Sequence, residues 1–504
     1  MALETELKLR IAPADLERLK RHPFLRSLSS GRATTRKLHN IYFDTPDLDL
    51  HHAAMALRLR YTGTQWLQTL KDGGAVHAGL HQRNEWETLV DGETLDFAAL
   101  EAIGAPPFAQ KLRKNISPLF ITDFTRSIRM LQFEGALIEL SLDSGEIRAE
   151  KSKHTISELE LELKSGEPLQ LFRLALALLD IVPLEIEVTS KAEYGYRLRT
   201  PAKAAVTKAR IPKLDQHIPV EKALPSMIWS CLQHLQANVS GAVKKADDEY
   251  LHQVRIALRR LRVVLGMAAK YRADAELESL RANIGELGTA LGLSREWDVF
   301  VTQTLPAIQK HSDANAGLKA IAQQSEKLRQ HYHQRVHAAL QNGEFQRLLL
   351  RFGAWMNGDY WRDTGNAKNL SSFAAKILHK HARKVRQHGA SVLQAADVKQ
   401  LHVLRIACKN LRYSADLFSS LYGEGKSKRY LDALAKLQDR LGEFNDHAVA
   451  LRLLEELAPG AQCESIALIR GSIEHSHKTH LNALRKAWKK FEELPGFWAN
   501  SVAE

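Results

Sequence analysis

Six stretches in the first 162 residues alternate charged or hydroxyl side chains with apolar ones. They are Glu4, Glu6 and Lys8 in ETELK, Arg58 and Arg60 in ALRLR, and Thr69 and Lys71 in LQTLK. Arg83, Glu85 and Glu87 follow in HQRNEWE, then Glu139 and Asp143 in IELSLD, and Glu158, Glu160 and Glu162 in ISELELEL. Side chains of a strand point alternately to opposite faces, so each stretch predicts a strand with one charged and one apolar face. In the first, Leu3, Leu7 and Leu9 share the apolar side, with Thr5 the exception.

One such strand suits an open sheet wetted on one face. Six of them need their apolar faces covered, and helices predicted near residues 13–21 and 168–180 are the available cover. Closing the sheet removes its edges and turns the charged faces into a lumen. Buried carboxylates at Glu4, Glu6, Asp143, Glu160 and Glu162 then ask for a cation, while Lys8, Arg58, Arg60, Lys71, Arg83 and Arg126 ask for a polyanion. Mg²⁺ or Mn²⁺ with a phosphate chain answers both, because oxygen donors suit these hard ions and this region has neither a Cys cluster nor zinc-like His spacing. The other way to fill such a lumen is mutual salt bridging.

A chain of 504 residues is too long for one core, and its charge divides unevenly. Residues 1–200 carry net −2 and residues 201–504 net +15. Between the two, TPAKAAVTKARIPKLDQHIPV holds three prolines and no sustained period, which predicts a linker over 201–220. Beyond it apolar residues recur at helical spacing, and HQVRIALRRLR from His252 returns as HVLRIACKNLR from His402. His252, Arg255, Arg259 and Arg262 are answered 150 residues later by His402, Arg405, Lys409 and Arg412. LGTALGLSREWD and LQDRLGEFND keep that offset through Gly292 and Gly442, after which the first copy has two extra residues. An internal duplication follows, with repeats near 225–365 and 370–500 and a helical stripe in each that could line an anion groove. KILHKHARKVR adds Lys376 and Lys380, at similar spacings, to the candidate anion-binding set. Nucleic acid would also suit the charge, but no recognised motif or aromatic platform supports it. HSHKTH near the end, with His475, His477 and His480, reads as a polar helix face, since residues two apart diverge on a helix.

Cys231, Cys408 and Cys463 form neither a C-x-x-C pair nor a paired framework, so reduced thiols and a cytoplasmic setting are expected. The acidic start lacks the pattern of a secretion signal, and no uncharged run approaches the roughly 18 residues of a membrane span.

ETELK also resembles the E-x-E-x-K signature of the CYTH family, the triphosphate tunnel metalloenzymes. YFDTPD, ALRLR, LQTLK, GLHQRNEWE, FTRSIR, a turn at SLDSGEI, ELELELKSG and SKAEYGYRL follow in that family's order. The later part resembles the CHAD family, duplicated helical domains implicated in polyphosphate binding. The whole chain is thus similar to bacterial CYTH-CHAD proteins of the inorganic triphosphatase kind. The resemblance implies an α+β multidomain chain: an eight-stranded antiparallel β-barrel tunnel with flanking helices over 1–200, then an all-α duplicated domain over 221–504.

It further implies metal, two ions per tunnel, on Glu4, Glu6, Asp143, Glu160 and Glu162. Triphosphate would be gripped by Lys8, Arg58, Arg60, Lys71, Arg83 and Arg126, with Glu85 and Lys191 completing the substrate set. Glu4, Glu6, Lys8 and Lys71 would carry the hydrolysis to phosphate and pyrophosphate, by positioning and electrostatics. Tyr194 stands where the family commonly has Arg. Alternatives are an organic triphosphatase acting on thiamine triphosphate or a nucleotide, a class IV-like adenylyl cyclase, and a polyphosphate-binding scaffold without turnover.

Overall fold

The computed structural model describes residues 2–200, 205–244, 248–309, 316–362, 369–395, 397–457 and 464–499. Its contacts divide the chain into two compact units, residues 1–205 with 342–360, and residues 206–341 with 361–504.

The first unit is built on ten strands: β1 Ala2–Ile11, β2 Thr34–Asp44, β3 Ala56–Tyr61, β4 Trp66–Lys71, β5 Ala75–His77, β6 Leu80–Val90, β7 Ser117–Phe133, β8 Ala136–Ala149, β9 Ser152–Ser165 and β10 Leu184–Ile186. Eight close into an antiparallel ring in the order β1-β9-β8-β7-β2-β3-β4-β6, with β6 pairing back onto β1. β5 and β10 are short additions on β6 and β1. Alternation decides the two faces: Leu7, Leu9, Leu57, Leu59 and Leu70 are fully buried outside the ring, whereas their charged neighbours face the lumen. Thr5 takes its place among the buried outward residues, and Leu3, at the strand's start, is exposed.

Helices Pro13–Lys20 and Pro168–Leu179 cover the outer face near the two predicted positions, burying Leu16 and Leu19 and an apolar face centred on Leu171, Phe172 and Leu178. Segment 97–108 covers another part with Leu100 and Phe108. A further cover comes from far along the chain. Helix Gly343–Met356 lies on Pro168–Leu179, where Gly353 meets the Phe172 ring so closely that a Cβ would stand 2.1 Å from it. Gln346 accepts the Ile186 amide at 3.0 Å, and Arg347 pairs with Asp180 at 2.8 Å.

SLDSGEI, where a turn was expected, is continuous strand within β8. Gly145 is needed there because a Cβ would stand 2.1 Å from the Asp123 carbonyl oxygen on β7. A glycine in a strand can mark close backbone approach as well as a turn.

The second unit holds helices Val220–Val243, Asp248–Tyr271, Ala275–Val299 and Ala316–Gln341, then Leu370–Ala395, Val398–Leu417, Glu424–Leu457 and Glu464–Glu492. The starts of Val220–Val243 and Leu370–Ala395 differ by 150 residues and those of Ala275–Val299 and Glu424–Leu457 by 149, so the duplication extends over whole helical units. The π-helical turn Phe300–Thr304 interrupts only the first copy, just after its two extra residues, while Glu424–Leu457 runs on unbroken. Cys231 and Cys408 are buried free thiols and Cys463 lies outside the described residues. Among the described residues no helix is long and apolar enough to cross a membrane. HSHKTH is helical, but the side chains of His475 and His477 lie outside those described.

Candidate functional sites

The ring encloses a cavity of about 320 Å³. Glu4, Glu6, Lys8, Arg58, Arg60, Lys71, Arg83, Glu85, Arg126, Glu160, Glu162 and Lys191 all line it. Asp143 is fully buried behind that surface, in contact with Arg126 and Lys191. Arg36, Glu87, Glu139 and Lys164 complete the charged wall. Arg36 was not foreseen because β2, TTRKLHNIYFD, alternates no charges with apolar residues.

Strand register sets the charges in rows. Glu6, Glu162 and Glu139 are directly opposite one another across β1, β9 and β8, and Lys8, Glu160 and Ser141 form the next row. On the other side Glu4 faces Arg83, and Lys71 faces Glu85. Like charges set directly opposite on a sheet repel. Burial and the Glu6 and Glu85 carboxylates therefore raise the Glu4 pKa even though Lys71 sits at 2.6 Å. Burial, Glu139 and Glu4 likewise raise Glu162, despite Lys164 at 2.5 Å. Glu6 differs: burial works against its charge, but Lys8, Lys71 and Arg83, the last at 2.9 Å, hold it well below the usual carboxylate range.

A second acidic group, Asp143, Glu158 and Glu160, brings one oxygen from each within 4.8 Å, an arrangement able to hold a metal. The protein's own cations fill it. Arg126 grips Asp143 through two bonds of 2.8 and 2.6 Å and reaches Glu160 at 2.5 Å. Lys191 lies 2.7 Å from Asp143 and 2.9 Å from Glu160, and it also pairs with Glu158; Lys8 pairs with Glu160. Arg126 and Lys191 hold the Asp143 carboxyl low against its burial. Arg60 has no carboxylate partner among the described residues and bonds the Asn40 oxygen at 2.8 Å. Burial, Arg58 and Arg126 bring its pKa down to about 10.

One end of the lumen is packed and apolar. Leu38, Tyr42, Phe120, Phe124, Ile147 and Ile156 meet Tyr196 of helix Lys191–Arg199, and Gly195 lets that helix lie directly on Phe120. This helix delivers Lys191 to the carboxylates. Tyr194 donates to Glu187 at 2.8 Å and stacks on His154, both away from the charged rows.

In the second unit the duplicated stripes meet. His252, Arg255, Arg259, Arg262, His402 and Arg405 line one basin of about 400 Å³. Gly288 and Gly292 leave its wall open, and Arg295, Glu296 and Asp446 add charge. Arg295 has no basic counterpart in the second copy, so the repeat itself does not single it out. Burial, Arg259 and Arg295 lower the Arg255 pKa to about 9. Lys409 sits beside the basin, its pKa brought to about 6 by burial and by Arg259, Arg405 and Arg255. Arg412 bonds Gln438 at 3.1 Å instead of lining the basin. Lys376 and Lys380 line a separate groove, because their helix turns them to another face.

The CYTH domain family matches residues 2–196 and the CHAD domain family residues 226–455. The inorganic triphosphatase of Haemophilus influenzae is 36% identical over 203 residues, 39% of this chain and 55% of that protein, so the chain spans about half the length of this curated relative. A crystal structure of the CHAD domain from the plant Ricinus communis is similar with a TM-score of 0.51 and 31% identity, covering 58% of this chain and 98% of that one. An antiparallel ring that buries acids and bases together, followed by a duplicated helical unit, is accounted for in the same way by both matches: the chain carries a CYTH domain followed by a CHAD domain.

Proposed function

We propose that the lumen hydrolyses inorganic triphosphate to phosphate and pyrophosphate with Mg²⁺ or Mn²⁺ bound, and that the basin of the helical unit binds inorganic polyphosphate. The observation that carries the first reading is the row Glu6, Glu162 and Glu139 beside Glu4. Of these lumen carboxylates Glu4 and Glu162 are held above their usual range even with Lys71 and Lys164 in place, so the row favours an added cation. Glu4, Glu6 and Glu162 are the residues that would hold it. A divalent ion bound there neutralises phosphate charge and polarises phosphoryl oxygens.

Asp143 and Glu160, the other expected ligands, are already neutralised by Arg126 and Lys191. A second ion there requires the Lys191 ammonium to withdraw, so in this reading the two acids orient Arg126 and Lys191.

The chain's own groups do the rest. Arg58, Arg60 and Arg126 present planar donors suited to phosphoryl oxygens, and Arg60, without a carboxylate partner among the described residues, is the one readiest to accept an anion. Lys8 and Lys71 add compact charges that stabilise the transition state. The apolar plug under helix Lys191–Arg199 keeps water from that end.

A narrower alternative has support in Leu38, Leu67 and Ile128, apolar residues in the cavity wall that an organic substituent on the triphosphate would touch. Phosphate release from triphosphate, thiamine triphosphate and ATP, with product identification and either metal, decides between them. Inorganic triphosphate is expected to be turned over fastest. Absence of turnover of any of the three would leave only the binding-scaffold reading. A cytoplasmic location remains part of the proposal and agrees with the two buried free thiols.

A further inference from the structure

Helix Leu370–Ala395 contains five Lys and Arg residues and no Asp or Glu. Lys376, Lys380, Arg383 and Arg386 are exposed along one side, at intervals of four, three and three residues, a line of charge about 15 Å long at the helical rise. They line a groove of about 750 Å³ whose opposite wall is Pro495, Gly496, Trp498 and Ala499. Among the described residues no carboxylate lines this groove, and Lys376, Lys380 and Arg383 make no ion pair. The positive field reaches further, since Lys380 and Lys384 add to burial in depressing the pKa of Lys270 on the neighbouring helix.

The duplication supplies a control for what this helix needs simply to fold. At the offset of 150 residues it corresponds to Val220–Val243, and the buried faces agree: Ala374, Ile377, Leu378, Ala382 and Val385 answer Leu224, Met227, Ile228, Leu232 and Leu235. The groove positions do not agree. Lys376, Lys380, Arg383 and Arg386 answer Ser226, Ser230, Gln233 and Gln236. The packing of the four-helix unit therefore does not require these charges, because the first copy packs the same buried face with neutral side chains at these positions. The central stripe behaves oppositely, as both copies keep it basic.

We propose that this groove is a second anion site, separate from the basin and present only in the second repeat, which takes a run of phosphates of an inorganic polyphosphate chain. The choice of polyphosphate leans on the reading of the basin; the existence of the site does not. Nucleic acid fits less well, because single strands are held by stacking bases on aromatic faces, and Trp498, the aromatic of the wall, is only 1% exposed with its ring met edge-on by His379.

The test uses the full chain with long-chain inorganic polyphosphate, and a single-stranded oligonucleotide of equal phosphate content as competitor. The variants are K380E/R383E, R255Q/R405Q and the four combined. The groove variant should lose about tenfold in affinity at low salt, with a shallower dependence on salt, because fewer counterions are released. Both residues are exposed, so its unfolding midpoint should match wild type; if it does not, the milder K376Q/K380Q takes its place, with a several-fold loss expected. The combined variant should lose more than either parent. Wild-type affinity and salt dependence in the groove variants would overturn the site. An oligonucleotide that competes as well as polyphosphate would overturn the ligand. If R255Q/R405Q alone binds as wild type while the groove variant is impaired, the basin reading fails and the groove stands.

Discussion

The lumen and the basin both crowd cations together, yet they are electrostatic opposites. In the lumen nearly every cation has a carboxylate partner, and those partners hold Lys8 and Arg126 above their ordinary pKa values despite burial, although burial with Lys8 and Arg126 nearby pushes Lys191 down. In the basin the cations mostly face one another, and Arg255, Arg405 and Lys409 are all pushed down. A balanced site and an unbalanced one must bind differently. In the proposed reading, an anion that reaches beyond Arg60 breaks ion pairs, and the carboxylates so released need a cation of their own, so phosphate and metal would favour each other's entry. An anion entering the basin relieves repulsion directly and needs no companion.

The contrast breaks first at Glu4. If a metal partners the acids of the lumen, Glu4→Gln removes a ligand at constant shape, and phosphate release should fall by at least about a hundredfold, the scale of losing one group that stabilises developing charge. Binding of polyphosphate to the basin should be untouched. Near wild-type turnover at every metal concentration would mean that the ion pairs, not a metal, satisfy these acids. Arg255→Gln with Arg405→Gln probes the other side. Polyphosphate affinity should fall about ten- to a hundredfold, since each guanidinium–phosphate pairing removed is worth on the order of 1 kcal/mol. Because the basin needs no companion ion, the wild-type affinity should be the same with chelator as with Mg²⁺ once ionic strength is matched; a requirement for metal would erase the distinction.

The alternating stretches made six lumen walls legible, because a two-residue period converts directly into faces. Pairing was not legible: nothing in ISELELEL says that Glu160 serves Lys8, Arg126 and Lys191 while Glu162 stands in a row of acids, since that depends on register and on a helix arriving from residue 191. The basin was legible for another reason, in that duplication marks both stripes although 150 residues separate them along the chain. The same logic passed over Arg295, which has no basic counterpart, while similar spacing alone placed Lys376 and Lys380 with the stripes although their helix faces elsewhere. Helix Gly343–Met356 was hidden as well. Its apolar pattern says that it buries a face, not that the face belongs to the sheet unit.

That helix offers a smaller test of where the two regions divide. Gly353 has no room for a Cβ against Phe172, itself fully buried on Pro168–Leu179, so Gly353→Val should overpack the contact and destabilise by about 1–3 kcal/mol. The loss should appear in the unfolding transition that also carries loss of triphosphatase activity. If it appears only in a transition that follows polyphosphate binding, the helix belongs energetically to the helical unit. For the same reason a fragment of residues 1–200 exposes Phe172 and its neighbours, and its activity should be compared with that of the full chain only after its folding has been checked.

The finest test is the proton on Lys409. Its neighbours are Arg255, Arg259 and Arg405, with Asp446 the acid acting on it, and burial among them leaves the amine largely neutral above pH about 6. A bound anion favours the ammonium, so binding should take up a proton. Below its free pKa Lys409 is charged with or without ligand and adds no pH dependence. As pH rises beyond that value, each increment makes the proton harder to acquire and affinity falls, until the higher pKa of the bound state is passed. His252 titrates too, but burial and the nearby Arg295, Arg255 and Arg259 hold it below the ordinary imidazole value, which confines its contribution to more acidic solution. The difference between the wild-type and Lys409→Met profiles isolates the lysine: several-fold weaker wild-type binding at about pH 8 than at about pH 6, and a flatter curve for the variant. Calorimetry in buffers of unlike ionisation heat should detect the proton taken up by wild type and less in Lys409→Met. Superimposable profiles would mean that the amine is already charged in the empty basin, and that the imbalance separating basin from lumen is milder than the cluster of guanidinium groups implies.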